Sequence, residues 1–276
     1  MPGPNQDPPP GRIEAAFQAL KAEGRSGLIA FLTVGYPSVE ATLALVPALV
    51  EGGACAVELG VPFSDPLADG ATIQRASHHA LARGVTPAVC LDVVRRLRAG
   101  GVQAPLILMG YYNPILARGV ESFAREAASA GADGLIVVDL PPEESEPLRA
   151  ACLEHGLRLI YLLAPTSSDE RIRLVAGLAS GFVYCVSLTG TTGAREDLPP
   201  GLTEFIARVR RHTPLPIAVG FGISKPKHFR AVGRIADAAV IGSAIIDEID
   251  RSGPSQQAAR VREYVEVVTG RRRAAT

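Results

Sequence analysis

The chain has 276 residues, of which 47% are hydrophobic and 20% are charged, and its 28 Lys and Arg residues balance its 28 Asp and Glu residues. This composition is typical of a globular protein, and the absence of a charge excess argues against a nucleic acid or an anionic membrane as partner. A bare length rule would allow two domains, but a single α/β barrel commonly runs to about 250 residues.

The two ends of the chain differ in composition from the rest. Residues 1–11 are proline-rich and lack the basic and then apolar pattern of a signal peptide, which predicts a disordered leader. We expect a single barrel domain over residues 12–270 and a basic tail over residues 271–276, to which we assign no function. The four cysteines show no CxxC spacing, which indicates reduced thiols in a cytoplasmic protein. No apolar run reaches the roughly 20 residues of a membrane helix.

From residue 12 onward, short apolar runs alternate with amphipathic stretches of helix length. The apolar runs predict strands, which we place at residues 28–33, 54–59, 106–109, 134–138, 158–163, 182–186, 217–219 and 238–241. The amphipathic stretches predict helices, which we place at residues 12–22, 39–51, 73–99, 120–130, 143–155, 168–178, 203–212, 225–232 and 256–268.

Regular alternation of strands and helices implies parallel strands joined by right-handed crossovers. Eight such units in about 250 residues favour a closed (β/α)8 TIM barrel over an open doubly wound sheet. The first amphipathic stretch precedes strand one, so we predict an extra N-terminal helix at the lower mouth. In such a barrel, the carboxyl ends of all strands converge on one pocket.

Glu58 is the only charged residue in the second apolar run. Because side chains alternate along a strand, it shares a face with Ala54 and Ala56, whereas Val57 and Leu59 lie on the bulkier opposite face. If helices cover that opposite face, Glu58 points inward. Burial disfavours a charged carboxylate and raises its pKa toward the range of a general acid or base. We therefore interpret Glu58 as a catalytic residue.

The loop that follows Glu58 carries further acids. It holds Ser64, Asp65 and Asp69 among two prolines and a glycine, so a second carboxylate lies on a constrained segment close to the strand end. Taken singly, each aspartate is better interpreted as a turn former or a helix cap.

The last two strands both end in glycines. Gly220 and Gly222 follow strand seven, and Gly242 with Ser243 follows strand eight and opens a short helix. Free N–H groups and the positive end of a helix dipole suit an anion, and barrel enzymes often bind phosphate after these two strands. We therefore predict a phosphate site; a tight turn and a helix N-cap are the alternative interpretation of either motif alone.

The segment 188–200 is polar and rich in glycine. We interpret it as a lid whose closure excludes water from the pocket. A surface loop without a role is the alternative, although the segment is long for a βα connection. Tyr111 and Tyr184 either lend hydroxyl groups to the pocket or pack as core aromatics, and the residue pattern leaves both interpretations open.

Other kinds of site lack their signatures. The five histidines show no metal-ligand spacing, and the adjacent His78 and His79 diverge on a helix, so we predict no metal. No Walker, GxSxG or GxGxxG element stands in its proper context, which disfavours a nucleotide or nicotinamide site. The expected partner is small or apolar.

These features together resemble the tryptophan synthase alpha chain family over about residues 12–270. The motifs that carry the resemblance occur in the family's order: FLTVGYP (31–37), ELGVPFSDPLADG (58–70), GYYNPIL (110–116), DLPPEE (139–144), LLAPTS (162–167), GFVY (181–184), TTGAR (191–195), GFGIS (220–224) and GSAI (242–245).

The resemblance implies a (β/α)8 barrel that cleaves indole-3-glycerol phosphate to indole and glyceraldehyde 3-phosphate. It implies that Glu58 is the general acid and base and that Asp69 accepts the indole N–H. It assigns the remaining positions as follows: support of the two acids to Tyr184 and Thr192, the indole pocket to Phe31, Tyr111 and Phe221, phosphate to Gly193, Gly222, Gly242 and Ser243, and the partner surface to Asp65, Pro66 and Asn113.

The resemblance also implies a partner, a beta chain that carries pyridoxal phosphate and receives the indole in an alpha2-beta2 tetramer, with no cofactor in this chain. Three residues depart from the family pattern: Ala71 and Val138, where proline is usual, and Ala238, where glycine is usual. Two alternatives stay open: a stand-alone lyase, which Ala71 in the Asp69 loop favours, and a subunit that mainly binds and activates a beta chain.

Overall fold

Eight parallel strands pair in sequence order and close into a barrel, with β1 hydrogen-bonded to β8. The structure, a computed structural model, describes residues 10–186, 198–220 and 222–272. The strands are β1 (Gly27–Thr33), β2 (Ala56–Gly60), β3 (Leu106–Gly110), β4 (Gly134–Val137), β5 (Arg158–Leu163), β6 (Val183–Val186), β7 (Ile217–Gly220) and β8 (Ala238–Ile241). The predicted (β/α)8 barrel is confirmed.

Helices occupy the intervals between the strands and cover the outside of the barrel. In the described ranges they are α1 (Arg12–Ala22), α2 (Val39–Gly52), α3 (Ala71–Ala82), α4 (Pro87–Ala99), α5 (Tyr112–Arg118), α6 (Val120–Ala130), α7 (Glu146–Glu154), α8 (Asp169–Leu178), α9 (Leu202–Arg210), α10 (Pro226–Val232), α11 (Ser243–Asp250) and α12 (Gln257–Thr269). None of these helices combines the length and the apolarity that crossing a bilayer requires.

The strands are buried on both faces, as parallel strands between helices and a filled interior must be. Ile29 and Ala56 belong to the cluster that fills the barrel, whereas Val57 and Leu59 pack outward beneath the helices. Alternation along β2 therefore places Glu58 on the inner face with Ala56, and the predicted inward orientation is confirmed.

The single helix predicted over residues 73–99 is wrong, because the segment forms α3 and α4. Gly84 adopts a φ of +79° in the turn between them, a conformation that favours glycine. Thr86 then caps α4, and Pro87 takes the first helical position, where its missing N–H costs nothing. The apolar pattern continues across the break, so periodicity did not reveal it. The short helix α5 was not predicted.

Helix α1 closes the amino-terminal end of the barrel. The ring of Phe17 lies 5.6 Å from the ring of Phe182, which is fully buried at the start of β6. An ion pair between Arg158 Nε and Glu14 Oε1, at 2.5 Å, ties the same helix to β5. The pocket into which Glu58 points must therefore open at the other end, where the strands have their carboxyl ends.

The four cysteines, Cys55, Cys90, Cys152 and Cys185, are free thiols, as their spacing predicts. Burial raises the pKa of each to about 12. Because the thiolate is the reactive form, these thiols are not nucleophiles near neutral pH.

We predict that Phe182→Ala lowers the free energy of unfolding by about 3–5 kcal/mol, because the substitution leaves a cavity beneath α1 that a closed barrel cannot fill. Urea titration measures the change. Leu67→Ala, at a side chain that is 93% exposed, is the control and should change stability by less than about 0.5 kcal/mol. A similarly small change for Phe182→Ala would contradict the closure of the barrel by α1.

Candidate active site

Glu58 lies on β2 between Phe31 of β1 and Ile107 of β3 in the strand register. It is fully buried, and in the described part of the chain neither carboxyl oxygen has a hydrogen-bond partner. Burial raises the pKa of Glu58 from 4.5 to about 8, since the charged form is poorly solvated inside the barrel. Glu58 therefore holds a proton at neutral pH.

Asp69 lies on the loop after β2 and is more open to solvent than Glu58. The hydroxyl of Tyr111 donates a hydrogen bond to Asp69 Oδ2 at 3.1 Å and accepts one from the Ala68 N–H at 3.0 Å. Burial raises the pKa of Asp69 to about 6, and the Tyr111 hydrogen bond opposes that rise. Phe63 stacks on Tyr111 at 5.0 Å between ring centroids. Asp69 is therefore mostly ionised at neutral pH.

Tyr184 lies on β6, and its ring belongs to the cluster that fills the barrel. Burial raises its pKa well above 10, and the nearby charges of Glu58 and Asp69 add to that rise. A Cβ atom at Gly220 of β7 would lie 2.4 Å from the Tyr184 hydroxyl oxygen. The absence of a side chain at Gly220 thus makes room for the Tyr184 hydroxyl group.

Phe31 lies at the open end of the barrel, buried between the ends of two strands. A Cβ atom at Gly60 would lie 2.6 Å from Phe31 Cζ, and one at Gly242 would lie 3.1 Å from Phe31 Cδ1. These two glycines therefore let an apolar ring form part of the pocket wall beside Glu58.

The predicted anion site lies at the start of α11. Gly242 is the N-cap residue of this helix and Ser243 its first residue. The N–H groups of Ser243 and Ala244 precede the first bond of the helix, which the Ile245 N–H donates to the Gly242 carbonyl at 2.9 Å. Gly222, after β7, is exposed and has a φ of +69°. The unpaired donors and the helix dipole are suited to a phosphate group.

A network that the sequence did not reveal joins α3, which follows the Asp69 loop, to α11. Arg75 Nη2 pairs with Asp250 Oδ2 at 2.6 Å, and Arg75 Nη1 donates to the Tyr36 hydroxyl at 2.7 Å. The same hydroxyl donates to Asp250 Oδ1 at 2.5 Å. These residues come from three distant segments of the chain, so no local pattern could predict their contact.

The residues expected on a partner surface lie outside the pocket. Asp65 is exposed and accepts a hydrogen bond from Ser64 Oγ at 2.5 Å, and Asn113 is exposed on α5. Pro66 is buried, which differs from the expectation of a surface residue. Its neighbour Leu67 is 93% exposed and presents the apolar surface of this loop instead.

Three predicted site residues, Thr192, Gly193 and Phe221, lie outside the described residues, as does the predicted lid (188–200) except for its last three residues. Away from the pocket, His155 Nε2 contacts Glu121 Oε1 at 2.5 Å, and a carboxyl oxygen of Glu154 lies within 4.8 Å of both. This surface cluster of one histidine and two carboxylates was not predicted, because the spacing of the histidines along the sequence gave no sign of it.

Comparison with known proteins identifies the family of this chain. The family model described as tryptophan synthase alpha chain matches residues 17–274. The tryptophan synthase alpha chain of Roseiflexus castenholzii is 55% identical over 259 residues, which cover 94% of this chain and 99% of the relative. That of Chloroflexus aggregans is 52% identical over 254 residues, covering 92% and 95%.

Solved structures of tryptophan synthase also resemble this chain over nearly its whole length. The alpha subunit of tryptophan synthase from Legionella pneumophila superposes with a TM-score of 0.86 at 37% identity and covers 95% of this chain and 99% of its own. A tryptophan synthase structure from Mycobacterium tuberculosis gives a TM-score of 0.87 at 36% identity, covering 96% and 99%.

We predict that Glu58 makes the folded protein less stable as pH rises from about 4.5 to about 8. In this window the folded state keeps the Glu58 proton while the unfolded chain releases it, so stability falls as pH rises. Glu58→Gln lacks this titration. The free energy of unfolding of the variant, relative to the wild type, should therefore increase by roughly 2–5 kcal/mol across the window.

Urea titrations of both proteins at the two ends of the pH window measure this difference. A difference that stays constant with pH would show that the carboxyl group of Glu58 titrates normally in the folded protein.

Proposed function

This chain belongs to the tryptophan synthase alpha chain family, and we propose that Glu58 and Asp69 carry the family's reaction in it. The protein is a lyase of tryptophan biosynthesis that cleaves indole-3-glycerol phosphate by a retro-aldol reaction to indole and glyceraldehyde 3-phosphate. One observation supports the proposal above all: Glu58 is fully buried without a hydrogen-bond partner among the described residues, whereas the less buried Asp69 accepts a hydrogen bond from the Tyr111 hydroxyl. Burial therefore raises the pKa of Glu58 further than that of Asp69.

In the proposed mechanism, protonated Glu58 first gives its proton to C3 of the indole ring. The ring loses aromaticity and becomes cationic at its nitrogen. The Glu58 carboxylate then takes the proton of the glycerol hydroxyl next to C3. The carbon–carbon bond breaks, its electrons restore the indole ring, and the alcohol carbon becomes the aldehyde. Glu58 ends protonated, ready for another cycle. A pKa of about 8 suits a group that must both give and take a proton near neutral pH.

Asp69 has the complementary role. As an ionised carboxylate, it accepts the indole N–H and stabilises the positive charge that develops on the ring. This interaction is stronger in the transition state than in the ground state, so it lowers the barrier. The Tyr111 hydroxyl, which donates to Asp69 Oδ2 at 3.1 Å, holds the carboxylate in place. Because the two carboxyl groups have different surroundings, Glu58 transfers a proton while Asp69 stabilises a positive charge.

The rest of the proposed site binds the substrate. The start of α11, at Gly242 and Ser243, offers unpaired N–H groups and its dipole to the phosphate group, and we assign Gly222 and Gly193 to the same site. We assign the indole pocket to Phe31, Tyr111 and Phe221, and the support of the two acids to Tyr184 and Thr192.

We predict that Glu58→Gln lowers the rate of indole release from indole-3-glycerol phosphate by at least about 100-fold, because the amide has nearly the same shape but gives no proton. Glutamine also tolerates the buried position, so the variant should remain folded. Glu154→Gln, at an exposed residue of α7, is the matched control and should keep the wild-type rate. Indole release by Glu58→Gln at the wild-type rate would refute the assignment.

An alpha chain of tryptophan synthase works with a beta chain. We propose an alpha2-beta2 tetramer in which pyridoxal phosphate is bound by the beta chain, and in which this chain binds no cofactor. We also propose a cytoplasmic location, which the free cysteines support, and a single barrel domain over residues 12–270 between a leader (1–11) and a tail (271–276).

Exposed apolar side chains support the position of the partner surface. Three large apolar side chains of the described ranges are markedly exposed: Leu67 at 93%, Leu116 at 51% and Leu153 at 41%. Leu67 lies next to Asp65 and Pro66, and Leu116 lies one turn from Asn113 on α5. Two of the three thus accompany the residues that the resemblance assigns to the beta-chain surface, while Leu153 is on α7.

We predict that Asn113→Ala combined with Leu116→Ala weakens binding of a beta chain by about tenfold, because both side chains are lost from one exposed face of α5. The beta-chain concentration that gives half-maximal stimulation of indole release, with a beta chain from a related bacterium, measures the effect. Leu153→Ala is the control and should leave it unchanged. Equal values for the double variant and the wild type would place the partner surface elsewhere.

A further inference from the structure

We propose that a cavity at the amino-terminal end of the barrel binds a small organic anion with two negative charges, such as an aryl phosphate. The cavity has a volume of about 570 Å³. It lies where β1 and β2 begin, between α1 and the ends of α10 and α12. Its size is that of a typical ligand pocket of about 300–1,000 Å³. The proposed function does not use this cavity.

The charged side chains that line the cavity in the described part of the chain are all positive. Arg25, Arg230, Arg234 and Arg271 line it, and no Asp or Glu is among the described residues that do so. Arg25 forms an ion pair with Glu23. The other three form no ion pair with the described residues, in a chain whose net charge is zero. Three guanidinium groups around one cavity favour an anion, and their planar donor sets suit phosphate oxygens in particular.

Two glycines line the cavity at positions where a side chain would clash with neighbouring atoms. A Cβ atom at Gly53 would lie 2.7 Å from Arg271 Nε, and one at Gly27 would lie 2.6 Å from Cys55 Sγ. Gly53 also has a φ of +115°, a conformation that favours glycine. Arg271, which the sequence predicts to lie in a basic tail without function, thus packs against the C-cap of α2 at the edge of the cavity.

Apolar side chains also line the cavity. Leu20 of α1, Val50 of α2 and Phe229 of α10 line it together with the arginines. A bound molecule would therefore meet both apolar side chains and positive charge. This combination favours an organic phosphate over an inorganic ion, because burial of its ring adds to the attraction of its charge.

The cavity is distinct from the site of cleavage. Glu58 is the third residue of β2 and points into the barrel, whereas the cavity lies outside the barrel interior where β1 and β2 begin, so that Glu58 is about 10 Å along the strand from the cavity residue Cys55. The proposal therefore stands or falls independently of the roles of Glu58 and Asp69.

Amide NMR with 1-naphthyl phosphate as the probe tests the proposal. We expect the amide signals of Ser26 and Gly233, which belong to residues lining the cavity, to shift in a saturable manner. The signal of Ser243 reports any binding at the active site separately. The uncharged analogue 1-naphthol is the control for the ring alone. Absence of a saturable shift at Ser26 and Gly233, or an equal shift with 1-naphthol, would overturn the proposal.

A double variant tests the arginines. Arg230→Gln with Arg234→Gln should weaken the binding of 1-naphthyl phosphate at the Ser26 and Gly233 signals by about tenfold. Arg83→Gln with Arg125→Gln removes the same charge from two exposed residues that do not line the cavity, and it should change binding little. Equal weakening by both double variants would overturn the proposal. Both should release indole at the wild-type rate, so failure here leaves the proposed function unaffected.

Discussion

A carboxyl group without a partner inside the barrel is the constraint on which the rest of the site depends. Glu58 is fully buried, and among the described residues none forms a hydrogen bond with either of its oxygens. An ionised carboxylate in that position would lose several kcal/mol of solvation, so burial keeps the group protonated and raises its pKa to about 8. The fold thus holds an acidic proton inside the barrel, on β2. A substrate bound in the pocket can supply a partner, and an acidic proton held in this way is typical of a functional group.

Asp69 and Glu58 have different pKa values because their surroundings differ. Asp69 is less deeply buried than Glu58 and accepts a hydrogen bond from the Tyr111 hydroxyl, and its pKa rises only to about 6. Tyr184 lies near enough to both acids for their charges to raise its own pKa. Neighbouring segments of the chain therefore carry one carboxyl group with a pKa of about 8 and another with a pKa of about 6, because their surroundings differ.

Local patterns in the sequence predicted the barrel and the orientation of Glu58, because alternation along a strand decides which face a residue occupies. They failed where structure depends on other parts of the chain. The apolar pattern of residues 73–99 runs through a turn at Gly84 that divides two helices. Contacts such as that between Arg75 and Asp250, 175 residues apart, leave no local trace. The role proposed for Asp69 needed a resemblance to a family, since an aspartate in such a loop is an ordinary turn or cap residue. The phosphate site at Gly242 and Ser243 was instead predicted from glycines that follow the last two strands together.

The contact between Arg75 and Asp250 has a consequence for how the substrate fits. Because the Arg75 side chain is 51% exposed, the ion pair itself contributes little to stability. The ion pair instead fixes the position of two helices: it joins α3, which follows Asp69, to α11, whose start is suited to phosphate. The Tyr36 hydroxyl contacts both Arg75 and Asp250. A molecule whose ring touches Asp69 while its phosphate lies at α11 spans these two elements. The ion pair therefore constrains the distance between the Asp69 loop and α11, the two elements to which the proposed function assigns the indole nitrogen and the phosphate.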